Sequence, residues 1–437
     1  MRVLGLAGPA MASMLSHTLL TLVDTAMVGR LGADALAAVG IGGMAMYVVM
    51  SAFFAIDSGS RAIVARYFGA GDCSRCGQVC QQALFLSLVF GIILSIGGWF
   101  LSDDMYRLMR AETTVVALGG EYLKLRLLAA TFIFAAFAFN GFFTGLGDTK
   151  TPMVVMITAN SLNVILNYVL IFGKLGFPAL GVEGAALATV IARVSGFLLY
   201  AIIILSKTAL KAYRPRLTFS PHWERMKQLI RIAAPTSFEQ VMQATGFLAF
   251  TTIITQLGTI PLAANNIGLN ITMISFMPAY GFGVAASALV GQNLGAKKIE
   301  AAERSGWTAA ILGVFFMTLM GLVFFFLPKY LMVIFTNDQQ VIHKGVTILK
   351  ILAFVQPFDA LHIVLGLALR GAADTKWVMA CNLIITWLLF VPLSYVLALP
   401  LGAGLSGAWG GLALFIFSAG IAMTWRFRGG KWKEIEV

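Results

Sequence analysis

Long apolar runs without a single charge alternate along this chain with short segments that hold most of its ionisable groups. Residues 153–173 and 305–328 are two such runs. The stretch 240–296 has no charge and breaks at Gly258-Thr259-Ile260-Pro261; 377–425 has none and breaks at Pro400-Leu401-Gly402. Each piece is about 20 residues or more, the length an α-helix needs to cross about 30 Å of hydrocarbon. An open strand edge finds no partner in lipid, so the spans are read as helices. The pattern predicts twelve of them, at 4–29, 36–60, 80–101, 117–144, 152–173, 182–206, 230–257, 262–290, 305–328, 341–369, 377–399 and 405–426.

Composition agrees with a bilayer as the solvent. Only 31 Lys and Arg and 19 Asp and Glu occur among 437 residues, or 11% charged, against roughly 25% in a soluble domain. The hydrophobic fraction is 59% and the mean hydropathy +0.87. A soluble enzyme with a small core, a disordered chain and a nucleic-acid module are excluded. The net charge of +12 is then an orientation signal. With the N-terminus in the cytoplasm, 21 Lys and Arg fall in inner segments; only Arg30, Arg107, Arg110, Lys174 and Lys329 fall in outer ones. That split follows the positive-inside rule and turns the basic face toward an anionic leaflet. The expected setting is a bacterial inner membrane, crossed many times, with both termini cytoplasmic. The first apolar run is too long for a signal peptide, passes through Pro9 and Asp24, and lacks a small-residue cleavage site.

The chain also resembles itself. Gly8-Pro9 matches Ala234-Pro235, Leu31-Gly32 matches Leu257-Gly258, and Ile41-Gly42 matches Ile267-Gly268. Gly69-Ala70 matches Gly295-Ala296, and Asp148-Thr149-Lys150 matches Asp374-Thr375-Lys376. Every pair stands 226 positions apart, as 148 and 374 do. Chance does not hold one register over so many segments, so two six-helix halves are expected. They are 1–206 and 230–426, joined by a basic linker at 207–229 and followed by a tail at 427–437. An even number of spans per half makes the repeats parallel, about an axis along the membrane normal. Two bundles around a central cleft have the architecture of a secondary transporter. No phosphate-cradling loop ending in Gly-Lys-Ser/Thr is present, which points to an ion gradient as the energy source. No cofactor is expected beyond the coupling ion.

The repeat makes its own violations informative. Asp24 is matched by Phe250, Asp359 by Ile133 and Glu239 by Ser13. None of these three acids is a scaffold residue that both halves need. An intramembrane carboxylate facing lipid costs about 2.5 kcal/mol or more, so each faces a cavity or a partner. A carboxylate there holds H⁺ or Na⁺ or attracts a cationic substrate; the alternative is an interhelical lock. Asp57 has Arg61 four residues on, which suggests a local ion pair. Arg193 has no acid nearby in sequence, and Asp24 is one candidate partner. Asn160, Asn163 and Asn167 share one helix face by their i, i+3, i+7 spacing and either line the cleft or bond between helices. Gln243, Gln256 and Gln356 are similar candidates in the second half. Tyr47, Phe247 and Tyr280 are the aromatic candidates for an apolar cleft. His17 and His362 either carry protons or are buried, hydrogen-bonded side chains. Cys73, Cys76 and Cys80 also share a face, but no fourth ligand is evident for a metal.

Several motifs resemble the MATE (multidrug and toxic compound extrusion) family. They are Leu22-Val23-Asp24-Thr25-Ala26-Met27-Val28-Gly29 and Ala62-Ile63-Val64-Ala65-Arg66-Tyr67-Phe68-Gly69-Ala70-Gly71-Asp72. Gly145-Leu146-Gly147-Asp148-Thr149-Lys150 and Leu289-Val290-Gly291-Gln292-Asn293-Leu294-Gly295-Ala296 follow, then Leu369-Arg370-Gly371-Ala372-Ala373-Asp374-Thr375. The resemblance runs over nearly the whole chain. It implies a V-shaped pair of six-helix bundles that exports organic cations or amphiphilic drugs in exchange for Na⁺ or H⁺, by alternating access. It places Asp24 at the family's helix 1 acid position and Asp359 at the helix 10 acid of the NorM-like branch. Na⁺ is then expected at Asp24 or at Glu239 and Asp359. Two positions depart: the NorM-like helix 7 Glu falls at Gln243, one turn after Glu239, and the helix 5 Asp of the DinF-like branch falls at Asn167.

Two other functions fit the residues less well. A flippase for lipid-linked oligosaccharides or other amphiphiles needs several cations in the cleft, and Arg193 is the one placed mid-membrane. An intramembrane enzyme needs convergent nucleophile, base and metal ligands, whereas His17 and His362 lie in different halves. The expected partners are small cations and the lipid bilayer, without nucleic acid, and the chain is expected to act as a monomer.

Overall fold

The computed structural model describes residues 2–206, 208–213, 215 and 222–435. Of the predicted basic linker, Lys207, Arg214, Arg216 and Pro221 lie outside the described residues, as do Glu436 and Val437 of the tail. Among the described residues every regular element is helical. The first half comprises α1 (Arg2–Gly29), α2 (Ala33–Gly69), α3 (Cys73–Leu108), α4 (Thr113–Leu128), α5 (Ala130–Gly145), α6 (Lys150–Phe172) and α7 (Gly181–Ser206). The second comprises α8 (Trp223–Thr255), α9 (Thr259–Gly295), α10 (Ile299–Phe326), the short α11 (Pro328–Val333), α12 (Gln339–Gly371), α13 (Thr375–Ile384), α14 (Val391–Ala398) and α15 (Gly404–Arg428).

Each of the twelve predicted spans falls on one helix or one linked group. Ten qualify by length and apolarity, and α4 with α5 forms one further span bent by 45°. The twelfth, α8, has 33 residues; its first turns carry Glu224, Arg225, Lys227 and Arg231, and it is uncharged from Gln240 onward. The bend between α4 and α5 has no Pro or Gly to announce it. There the Ala129 N–H reaches back only to Arg126 O, at 3.2 Å, while Ser95 on α3 donates to the Leu127 carbonyl at 2.8 Å. A side chain inserted into the helical ladder is a known cause of a kink. Between α13 and α14 the chain widens into a π-helical turn, Ile385–Phe390, just before Pro392, which has no N–H to give.

The chain forms two compact units, residues 12–233 and residues 1–11 with 234–437. In the first, α2 packs on α5, α3 on α4 and α6 on α7. In the second, α12 is central and packs against α9, α10 and α15. The opening turns of α1 belong to this second unit: Val3 and Ala7 join a core with Phe282, Ala285, Leu289 and Val290.

The internal repeat reappears as matched close approaches. A Cβ on Gly145 would come within 3.0 Å of Arg61 O, and one on Gly371 within 2.2 Å of Ser287 O. Gly371 and Ser287 are the repeat mates of Gly145 and Arg61. A methyl group against a backbone carbonyl cannot be relieved by a side-chain rotation. Gly371→Ala should therefore destabilise the protein by about 1–3 kcal/mol through overpacking, even though Ala favours a helix. Gly97, with nothing within 4 Å of its added Cβ, is the control. Gly97→Ala should be neutral or stabilising by up to about 1 kcal/mol. Thermal unfolding of the two variants in one detergent compares the signs, and equal behaviour would remove the close-packing argument.

Candidate functional site

Each unit buries a polar cluster, and the two use different positions of the repeat. In the first unit, the i, i+3, i+7 spacing on α6 turns Asn160, Asn163 and Asn167 to one buried face. Asn167 Nδ2 donates to Asp24 Oδ1 at 2.5 Å, from α6 to α1. The Asn163 amide lies 3.1 Å from the same carboxylate oxygen; with its nitrogen turned there, its oxygen accepts from the Thr189 N–H and hydroxyl on α7, both at 3.2 Å. Asn160 Nδ2 donates to Ser16 Oγ at 3.0 Å, about two turns from Asp24 toward the start of α1. The cations whose charge acts on Asp24 are Arg126 on α4 and Arg193 on α7. Arg126 donates to the Tyr122 hydroxyl at 2.8 Å, and Arg193 reaches Met156 Sδ at 3.8 Å. Asp24 is thus hydrogen-bonded by Asn167, with the two arginines standing off as longer-range partners.

The second unit builds its cluster from α8, α12 and α13. Glu239 is 1% exposed. Its Oε1 accepts from Arg370 at 2.5 Å and from Asn382 Nδ2 at 2.5 Å. Asn382 Oδ1 lies 3.3 Å from His362 Nε2, and His362 Nδ1 lies 3.9 Å from Asp359 Oδ1. The i, i+3 spacing of Asp359 and His362 sets both on one side of α12. A chain of polar groups therefore runs from Arg370 through Glu239, Asn382 and His362 to Asp359. Glu239 Oε2 is buried and has no hydrogen-bond partner among the described residues.

Repeat mates explain why the clusters do not coincide. Asp24, Asn163 and Thr189 correspond to Phe250, Leu389 and Phe415, and the second unit fills that region with Phe250, Phe390 and Phe415, whose rings stand 5.2 and 5.4 Å apart. Glu239, Arg370 and Asn382 correspond to Ser13, Thr144 and Met156. Each half keeps polar chemistry where the other is apolar or uncharged.

The remaining candidates separate. Gln356 is buried and donates to Ser275 Oγ at 3.3 Å. Phe247 packs on Phe390 at 5.6 Å, Tyr280 lies 6.0 Å from Phe276, and Gln243 is half-buried. Tyr47 is 64% exposed. Asp57 and Arg61 form the ion pair that their spacing suggests; both are buried, and Asn140 donates to Asp57 at 2.6 Å. Asp148 is explained by local structure: it accepts from the Thr151 N–H at 3.0 Å in the first turn of α6. No group of three or more His, Cys, Asp and Glu suited to a metal ion occurs among the described residues, the three Cys of α3 included.

The MatE family profile matches the chain twice, over residues 9–169 and 235–396. The two matches begin at Pro9 and Pro235, the offset of the internal repeat. The chain belongs to the MatE family. It is similar to the probable multidrug resistance protein NorM of Thermotoga maritima, 33% identical over 99% of this chain and 93% of that one. The multidrug resistance protein NorM of Burkholderia vietnamiensis is 31% identical over 97% and 92%. A MOP superfamily transporter from Pyrococcus furiosus, described as having a binding pocket of reversed polarity that suggests a different function, superposes with a TM-score of 0.90 at 25% identity, covering 99% and 96%. A MATE structure in a straight conformation gives 0.91 at 25% identity, covering 99% and 97%. The protein is therefore a NorM-like MATE transporter with twelve membrane helices, and not an enzyme.

Within that family frame, sequence reasoning missed four residues. Arg370 stands in a motif in the last turn of α12, where the sequence alone suggests an orientation charge, yet it pairs with Glu239. Asn382, Thr189 and Arg126 carry no spacing signal of their own. A search for polar residues whose repeat mates are apolar would have returned all three, since their mates are Met156, Phe415 and Leu352.

Proposed function

We propose that the protein is a multidrug efflux antiporter that exports organic cations in exchange for protons. The observation that carries the choice of ion is the donor set around the two most engaged carboxylates. Asp24 Oδ1 and Glu239 Oε1 both accept from N–H donors, and arginines stand near each. A sodium ion needs several oxygen ligands, whereas these two oxygens already face N–H donors; a proton needs one lone pair and no shell. Multidrug resistance in the names of the NorM relatives supports the substrate class.

The exchange follows from competition at Asp24. Ionised, Asp24 attracts a cationic substrate and holds the Asn167 amide. Protonated, it is neutral, and its attraction for the substrate is lost. A ligand shifts a conformational equilibrium only by its differential affinity for the two states. Alternating access then requires that proton and drug favour opposite states. The network from Arg370 to Asp359 offers a second place for a proton, with His362 between two partners.

Purified protein in vesicles, loaded with a cationic dye, tests the reading under separately imposed pH and Na⁺ gradients. Efflux driven by the pH gradient alone is the expected result. Efflux that responds only to Na⁺ rules out proton coupling, and a response to neither removes antiport altogether.

A further inference from the structure

Between the first turn of α1, the end of α9 and the beginning of α10 lies a cavity of about 450 Å³. Arg2, Asn293, Glu300, Arg304, Ser305 and Thr308 are its polar lining. Asn293 donates to Ser305 Oγ at 3.1 Å and to the Ala301 carbonyl at 3.3 Å, which ties α9 to α10. Its apolar lining is buried: Val3 is 7% and Leu289 4% exposed, in the core that joins the first turns of α1 to α9. Arg2 and Arg304 are exposed, and among the described residues neither forms an ion pair.

The geometry points to a binding site for the headgroup of an anionic phospholipid. Two guanidinium groups lining one cavity offer the forked donors that match a phosphate, and Thr308 adds a hydroxyl group. Glu300 sets the limit, since it disfavours a second negative charge close by and suits a monoanionic headgroup. The side of the chain is also right. By the Lys and Arg distribution, this end of α1, α9 and α10 faces the cytoplasmic leaflet, where anionic lipids attract basic residues. Moving along the same helices, apolar side chains stand outward: Leu4 is 54%, Ile311 65% and Phe315 72% exposed. A headgroup held by Arg2 and Arg304 thus has lipid-facing surface beside it for its acyl chains. A free phosphate shares the headgroup chemistry but not the use of that surface.

Native mass spectrometry of the full chain, released from detergent in the presence of phosphatidylglycerol, phosphatidylcholine or inorganic phosphate, tests the site. One phosphatidylglycerol should be retained preferentially. Arg2→Gln with Arg304→Gln should weaken its retention about thirtyfold. Lys297→Gln with Lys298→Gln removes the same charge from exposed residues outside the cavity and should leave retention within threefold. Equal loss in the two variants, or no preference for phosphatidylglycerol over phosphatidylcholine, overturns the proposal. Displacement of the lipid by millimolar inorganic phosphate overturns it in favour of a free anion. Proton-driven efflux is a separate readout, so failure here leaves the transport reading intact.

Discussion

Arg370→Met should lower the apparent unfolding temperature of the purified protein by about 10 °C or more. The reason lies in what it leaves behind. Glu239 is 1% exposed, and its Oε1 is bonded by Arg370 and Asn382, while its Oε2 has no partner among the described residues. Removing one partner of a buried ion pair strands the other charge, at about 3–5 kcal/mol. For units of this size each kcal/mol shifts the midpoint by about 2–4 °C. Exchanging both partners for neutral groups is far gentler, and is often neutral when the volume is kept. Arg370→Met combined with Glu239→Gln should therefore recover most of the loss, because the remaining amide still accepts from Asn382. Scanning calorimetry in one detergent provides the comparison. An unchanged midpoint for Arg370→Met, or a double variant as unstable as the single, would show that Arg370 does not neutralise Glu239.

The second large effect is on transport. Asp24→Asn should leave the protein folded, since an amide oxygen at that position can still accept from Asn167. It removes only the charge and the proton-binding site. Coupling between two ligands that bias one equilibrium is typically about 1–3 kcal/mol, so its loss should slow pH-driven efflux by about five- to 150-fold. Asp24→Glu keeps the charge and should retain part of the activity. Dye efflux from vesicles of matched protein content measures both variants. Full activity in Asp24→Asn at normal expression sinks the role given to this carboxylate.

Much of the fold was legible because the bilayer restricts the alternatives. Charge-free runs of about 20 residues had to be helices, and the Lys and Arg split required an even number of them. The bend at Ala129 was not legible, since no Pro or Gly marks it and the hydroxyl that reaches the Leu127 carbonyl, shared with Gly91 O, sits on another helix. The acids stood out because charge is scarce and their repeat mates are uncharged. Their partners were harder to see. Arg370 looked like one more cytoplasmic charge, and nothing local distinguishes a side chain that turns inward to Glu239. Asn382 sits one helix beyond Arg370, and only packing brings it to the same oxygen. The three asparagines of α6 were legible as a face by their spacing, but the direction of that face, toward Asp24 and Thr189, is a tertiary property.

The packing of the opening turns of α1 has a consequence for the order of synthesis. Val3 and Ala7 find their neighbours at Phe282, Ala285 and Leu289, and Gly281 leaves room for Met11. Those partners leave the ribosome about 280 residues later. At about 5–20 residues per second, α1 waits about 15–60 s before its first turns can be buried. During that time the unit of residues 12–233 already has its whole sequence. Val3, Ala7 and Met11 are thus made long before the neighbours on which their final packing depends.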